Sequence, residues 1–124
     1  MVEKIIKGIK YCLNEEAMTA EVIAKRNGYE GDIIIPETVV FKKVSYLVTN
    51  IDEHAFYNCK SLTSITIPDN VTSIGEEAFS DCSSLTSITF NGTKAQWQGI
   101  KLGDDWKINV PTKVIHCTDG ELKI

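Results

Sequence analysis

The sequence is poor in basic charge through its middle, in histidine and in long apolar runs, and each shortage excludes something. Its 124 residues carry 13 basic and 17 acidic side chains, for a net charge of −4. Between Val44 and Thr93 the one basic residue is Lys60, set against Asp52, Glu53, Asp69, Glu76, Glu77 and Asp81, so this stretch holds a net −5 and the flanks together are near neutral. Phosphate backbones are held by a basic footprint, and this balance argues against nucleic acid as a partner. No apolar run approaches the ~20 residues of a membrane span. Met1-Val2-Glu3-Lys4-Ile5-Ile6-Lys7 is too short and too charged for a secretory signal. From the residues alone the chain is cytoplasmic, or a trimmed mature form.

Histidine is limited to His54 and His116, and no Cys-x-x-Cys or His-x-x-x-His occurs. The convergent ligands of a metal site are therefore missing, and neither a metal nor another cofactor is expected. Neither histidine lies in a nucleophile–base motif, so no enzymatic activity is expected. The four cysteines, Cys12, Cys59, Cys82 and Cys117, form no close sequence pairs and do not read as a secreted disulfide framework. What is present is a 43% hydrophobic content, which suits one folded domain of this length and not a disordered chain.

The centre of the chain says the same thing twice. Ala55, Phe56, Cys59, Leu62, Ile65 and Ile67 recur 23 residues later as Ala78, Phe79, Cys82, Leu85, Ile88 and Phe90, and Val48 and Ile51 are answered by Val71 and Ile74. A fixed period in the twenties with a Leu-x-x-Ile-x-Ile core marks a leucine-rich-repeat solenoid, in which each coil buries one apolar layer against its neighbours. In each copy the Leu-x-x-Ile-x-Ile/Phe segment is the strand, with alternate side chains inward. Pro68 ends its strand, Gly75 marks a turn, and Glu76 to Phe79 fits a short helical turn on the outer side.

The remaining segments are arranged around these repeats. Residues 1–30 form an N-terminal cap. Within it Ile9, Tyr11 and Leu13 share one parity and Ala20, Val22 and Ala24 another, so a β-hairpin is expected, with an amphipathic helix from Glu15 to Arg26 as the alternative. Asn27 to Gly31 is a turn. The run Asp32 to Val39 matches Ser64 to Val71 at an offset of 32, one period plus nine residues. A first coil is thus interrupted by an insertion near residues 40–47, itself suited to a small hairpin. The repeats span residues 31–90. Residues 91–124 form a C-terminal cap: the period fails after Phe90, Thr93 suits the N-cap of a short helix reaching Trp97 and Ile100, Trp106 packs downward, and Lys113 to Cys117 suits a last parallel strand with Ile115 and Cys117 inward.

Ile-Pro-x-x-Val-x-x-Ile-Gly-x-x-Ala-Phe-x-x-Cys-x-x-Leu-x-x-Ile-x, read from Ile67 to Thr89, closely resembles the 23-residue repeat of the BspA-like bacterial leucine-rich-repeat proteins. Gly75 fits that pattern, while Asp52 stands at the glycine position of the earlier copy. Gly92-Thr93, Trp97, Ile100 and the closing Val114-Ile115-His116-Cys117 are similar to the family's C-terminal end, so the resemblance covers roughly Gly31 to Cys117. It implies a β-rich solenoid with a parallel strand face, and a surface or secreted protein that adheres to proteins or cells. The family shares no catalytic residues, so it supplies no active site to carry over.

Two groups of residues remain as candidate chemistry. Cys59 and Cys82, at equivalent places on adjacent coils, are expected about 5 Å apart, within disulfide reach; packed free thiols are the first reading and a disulfide the alternative. The open strand face presents Ile34, then Ser64 and Thr66, then Ser87 and Thr89. Serine and threonine there either solvate a sheet or form a shallow docking surface for a protein or a glycan. Such a face measures roughly 200–300 Å², against ~800 Å² per partner in a stable interface. Binding is therefore expected to be weak or multivalent. A spacer with no ligand is the alternative function, and the exposed strand edge offers self-association.

Overall fold

The computed structural model describes all residues from Met1 to Ile124. Twelve strands and one short helix follow in order: β1 Val2–Ile6, β2 Ile9–Asn14, β3 Thr19–Val22, β4 Gly31–Ile34, β5 Thr38–Phe41, β6 Val44–Ile51, β7 Leu62–Ile67, β8 Ser73–Ile74, β9 Ser87–Phe90, α1 Lys94–Gln98, β10 Lys101–Leu102, β11 Val114–Cys117 and β12 Gly120–Lys123. They form two sheets. The first runs β1-β2-β3-β6-β8-β10, with β5 also on β6; the second runs β12-β11-β9-β7-β4. Each coil contributes one strand to each sheet, so the chain passes from β6 to β7, from β8 to β9 and from β10 to β11. This is a β-rich leucine-rich-repeat solenoid.

The repeat period becomes the strand register. Asn50 and Ile51 pair with Ser73 and Ile74, and Ser64 to Ile67 pair with Ser87 to Phe90, each at an offset of 23. Asp32, Ile33 and Ile34 pair with Ser64, Ile65 and Thr66, the offset of 32. The insertion is a hairpin of β5 and β6, closed at Lys42 and Lys43, both in the left-handed region at φ 51° and 66°. Two successive left-handed residues match the twist of flanking strands in a two-residue loop. At the N-terminus β2 and β3 form the expected hairpin. Ala24 lies beyond the end of β3 and is exposed instead of inward. The cap also has a strand that the alternation did not suggest, β1, antiparallel to β2.

One apolar core runs from Ile9 to Ile115. Aromatic rings form its spine: Tyr29 on Phe56 at 4.7 Å, Phe56 stacked on Phe79 at 5.0 Å and 4°, Phe79 on Trp106 at 6.2 Å, Trp106 on Trp97 at 5.7 Å and Trp97 on Phe90 at 5.4 Å. Tyr29 closes the top. Its hydroxyl donates to the Ile23 carbonyl at 2.8 Å and accepts from the Lys10 amide at 3.0 Å, so the buried phenol is satisfied at both ends.

The outer turns are tight turns, not the helical turn expected at Glu76 to Phe79. Ala78, Ser80 and Cys82 donate to Gly75, Glu77 and Phe79, three residues back each time, and Glu77 and Asp81 are left-handed at φ 52° and 63°. Left-handed residues spaced this way interrupt the continuous right-handed backbone that an α-helix needs. The same bonds and left-handed positions recur in the coil above, at His54 and Asn58; in a further coil below the left-handed positions recur at Asp105 and Asn109, with the Val110 amide donating to Lys107. His54, Phe56 and Asn58 donate to the carbonyls of Glu76, Ala78 and Ser80; Glu77, Phe79 and Asp81 donate in turn to Asp104, Trp106 and Ile108.

The solenoid therefore continues past Phe90, where the sequence period stops. Lys101 and Leu102 pair with Ser73 and Ile74 at an offset of 28, and His116 pairs with Thr89 at 27. In this last coil Trp106 occupies the backbone position of Ala55 and Ala78. Its larger side chain packs against Phe79 and Trp97 within the core. Helix α1, which lengthens this coil, has Thr93 as N-cap in a reciprocal capping box with Gln96. Strand β11 is parallel to β9 as expected, with Ile115 inward and Cys117 packed against the core, and β12 adds an unanticipated antiparallel strand.

Glycine has a steric role at two places. A Cβ at Gly75 would lie 2.4 Å from the Glu53 amide nitrogen, and one at Gly103 would lie 2.4 Å from that of Glu76. Adjacent coils touch backbone to backbone at these points, which only glycine permits. Asp52 tops this column against β3, donating its amide to the Val22 carbonyl at 2.9 Å.

Candidate functional site

The outer face of the second sheet gathers all five strand-face residues singled out from the sequence. Strand pairing sets Ile34, Thr66, Thr89, His116 and Glu121 in one row across the five strands. A parallel row holds Asp32, Ser64 and Ser87. Period-2 alternation explains the arrangement, because Ile33, Ile65, Ile88 and Ile115 turn inward between these outward residues. Ile34 is 70% exposed, whereas Ser64, Thr66, Ser87 and Thr89 are half-buried by their neighbours.

Asp32, His116 and Glu121 were not among the candidates and extend the face at both ends. Asp32 accepts from the hydroxyls of Ser64 at 2.8 Å and Thr63 at 3.0 Å, and these bonds, Ser64 first, hold its carboxyl below the usual aspartate range. His116 Nδ1 lies 3.1 Å from Glu121 Oε2. The outward direction of His116 follows from Ile115 and Cys117 pointing inward, a signal already present in the sequence. The face is thus apolar and acidic at one end, hydroxylic in the middle and imidazole–carboxylate at the other.

Elsewhere the titratable groups do not converge. His54 Nε2 sits 3.3 Å from Glu77, with Tyr57 edge-on to its ring at 5.4 Å, and neither histidine is hydrogen-bonded to a hydroxyl or a thiol. No group of three or more histidine, cysteine or carboxylate side chains is arranged to hold a metal.

All four cysteines are free thiols. Cys59 and Cys82 stack inside the turns, where the Cys82 thiol donates to the Phe56 carbonyl at 2.9 Å and the Cys59 sulfur accepts from the Tyr29 amide at 3.4 Å. The shared interaction with Cys59, and then burial, push the Cys82 thiol up. Both side chains are buried and belong to the apolar core.

The repeats match the family described as "BspA type Leucine rich repeat region (6 copies)" over residues 37–99, just over half of the chain. The chain belongs to this BspA-type leucine-rich-repeat family. No curated protein matches it. Among solved structures it is similar to a leucine-rich cell surface protein of Faecalibacterium prausnitzii, with 27% identity and a TM-score of 0.66 over 94% of this chain and 32% of that one. A leucine-rich-repeat protein of Bacteroides capillosus shares the fold at 21% identity and a TM-score of 0.67, over 94% of this chain and 99% of that one. One from Bacteroides ovatus is 34% identical with a TM-score of 0.58, over 71% of this chain and 23% of that one. The chain thus spans about a third of the F. prausnitzii protein. BspA-type repeat domains occur typically in surface or secreted bacterial proteins and are generally non-catalytic. No helix in this chain is long and apolar enough to cross a membrane.

Proposed function

We propose that this chain is a non-catalytic interaction module of a bacterial surface or secreted protein, and that it binds protein or glycan ligands through the outer face of its second sheet. The observation that carries this reading is the row Ile34–Thr66–Thr89–His116–Glu121, which offers an apolar contact, two hydroxyls and an imidazole beside a carboxylate on one surface. Hydroxyls and a histidine can both donate and accept, which suits the mixed polarity of sugars and of polar protein surfaces.

Area sets the strength. Five short strands at ~4.8 Å spacing and ~3.3 Å rise give roughly 250 Å² of face, about a third of the ~800 Å² per partner in a stable interface. A single domain binds weakly, and adhesion comes from several copies engaged together. In the test, the immobilised protein is offered matrix glycoproteins and a glycan panel beside the double variant Thr66→Arg plus Thr89→Arg. Retention lost in the variant supports the strand face. Retention kept by the variant moves the site elsewhere, and no retention at any density favours a spacer without a ligand.

A further inference from the structure

The two sheets end at different heights. β3 pairs with β6 and β4 with β7, so β3 and β4 stand at one level of the stack. The first sheet continues beyond that level with β2 and β1, whereas the second stops at β4. The inward side chains of β2 therefore have no strand of the second sheet opposite them. A groove of about 320 Å³ opens there, walled by Ile6, Ile9 and Tyr11 on one side and by Ile34, Pro36 and Val40 on the other. Ile34 and Val40 are 70% and 61% exposed, so the outer wall of the groove is apolar and open to solvent.

The groove borders an unused strand edge. The amides of Gly31 and Ile35 donate towards β7, to the carbonyls of Ser61 at 2.8 Å and Thr66 at 3.0 Å. Alternation along the strand turns the amide and carbonyl groups of Asp32 and Ile34 to the open side, where no strand meets them. The rim carries lysines, beside the exposed carboxylates of Asp32 and Glu37. Lys7 lines the groove, and the ammonium groups of Lys4 and Lys42 lie 5.3 and 5.4 Å from the ring of Phe41, next to Val40. None of these three lysines is ion-paired; the one lysine in a salt bridge is Lys10, with Glu3.

We propose that this groove receives an extended peptide segment of a partner protein, added as a strand along β4, with apolar side chains at alternate positions and carboxylates at its ends. Main-chain bonds to Asp32 and Ile34 would supply affinity, and the apolar wall would select every second side chain. The unpaired lysines would select acidic ends and reject basic ones. A second copy of this chain fits less well, because an edge-to-edge pair brings the two lysine rims together.

The full chain, ¹⁵N-labelled, is titrated with the peptide Asp-Val-Thr-Val-Thr-Val-Asp and with the analogue in which both aspartates are lysines. The acid-ended peptide is expected to bind, to slow amide exchange at Asp32 and Ile34, and to bind about tenfold or more tightly than the basic one, the worth of about 1.4 kcal/mol in affinity. Val40→Lys and Ile34→Lys, both at exposed positions, are each expected to weaken it by about the same factor while the circular dichroism spectrum stays unchanged. Thr89→Arg, two strands away from β4, should leave peptide affinity unaltered, separating this site from the strand face. Equal affinity for the two peptides, no slowing at Asp32 and Ile34, or absence of binding would each overturn the proposal. Protection of the same amides by self-association, without peptide, would assign the groove to a second copy and also overturn it.

Discussion

Replacing Phe79 by alanine perturbs the middle of the aromatic spine. Phe79 is fully buried, stacked on Phe56 at 5.0 Å and edge-on to Trp106 at 6.2 Å. Truncation of a buried phenylalanine costs about 3–5 kcal/mol, because the lost apolar transfer is joined by a cavity that the rigid coils cannot close. A chain of this length is stable by roughly 6–19 kcal/mol, so the change removes a large share. At about 4 °C per kcal/mol the melting temperature should fall by roughly 12–20 °C. Phe79→Leu retains most of the apolar volume but loses two ring–ring contacts, each worth about 0.5–1.5 kcal/mol, and should cost about 1–3 kcal/mol. Tyr57→Ala, on an exposed side chain, serves as the control and should stay within about 0.5 kcal/mol. Urea unfolding followed by tryptophan fluorescence reads all three. A cost under about 1 kcal/mol for Phe79→Ala would refute the reasoning, since the coils would then not depend on the spine for their stacking.

Other perturbations test separate parts of the account. Gly75→Ala places a methyl group 2.4 Å from the Glu53 backbone and should cost about 1–3 kcal/mol by thermal unfolding, whereas Gly99→Ala, whose nearest contact is 3.4 Å, should be far milder. Thr93→Ala removes the hydroxyl that accepts from the Gln96 amide and should cost about 0.5–2 kcal/mol, with faster amide exchange confined to α1. Burial raises Tyr29 to about 12, and burial with the neighbouring Tyr29 raises Tyr11 to about 12. Both phenols hold their protons longer folded than unfolded, so the stability they contribute is intact below about pH 10 and is lost as pH rises towards 12. Ultraviolet titration of the two phenolates, run beside an alkaline unfolding curve, checks this. Asp32 has the opposite sign: hydrogen bonds lower its carboxyl, so its contribution is present above the ordinary aspartate range and is lost as pH falls through the depressed value. Ser64→Ala should move its titration, followed by carboxyl ¹³C shifts, back upward.

Much of this geometry was legible because the repeats are near copies. Ile65 and Ile88, or Phe56 and Phe79, state the register directly, and Asp32 to Val39 extends it upward once the β5–β6 hairpin is allowed as an insertion. Three features were not legible, for different reasons. The last coil lost its period because α1 lengthens it and because Trp106 stands where the other coils have alanine; backbone bonds, not residue types, preserve the repeat. The outer turns looked helical at Glu76 to Phe79, yet the left-handed Glu77 and Asp81 are fixed by bonds to Asp104 and Ile108 in the coil below. The strands β1 and β12 lie at the ends of their sheets, outside the repeat, where no matching segment announces a partner.

The candidate face followed from alternation alone. Asp32, which answers Ser64 at the offset of 32, and His116, between inward Ile115 and Cys117, carried the same signal; Glu121 joins only through the unanticipated β12. The groove beside β4 was invisible in the sequence, since it arises from one sheet being two strands taller than the other.

The most direct test of the strand face as an interaction surface compares retention on matrix glycoproteins and a glycan panel at low and high display density. It uses the unmodified chain and the Thr66→Arg plus Thr89→Arg variant. A face of roughly 250 Å² should give little retention at low density and strong retention at high density, all of it lost in the variant. Retention that does not depend on density, or that survives both arginines, would contradict the account.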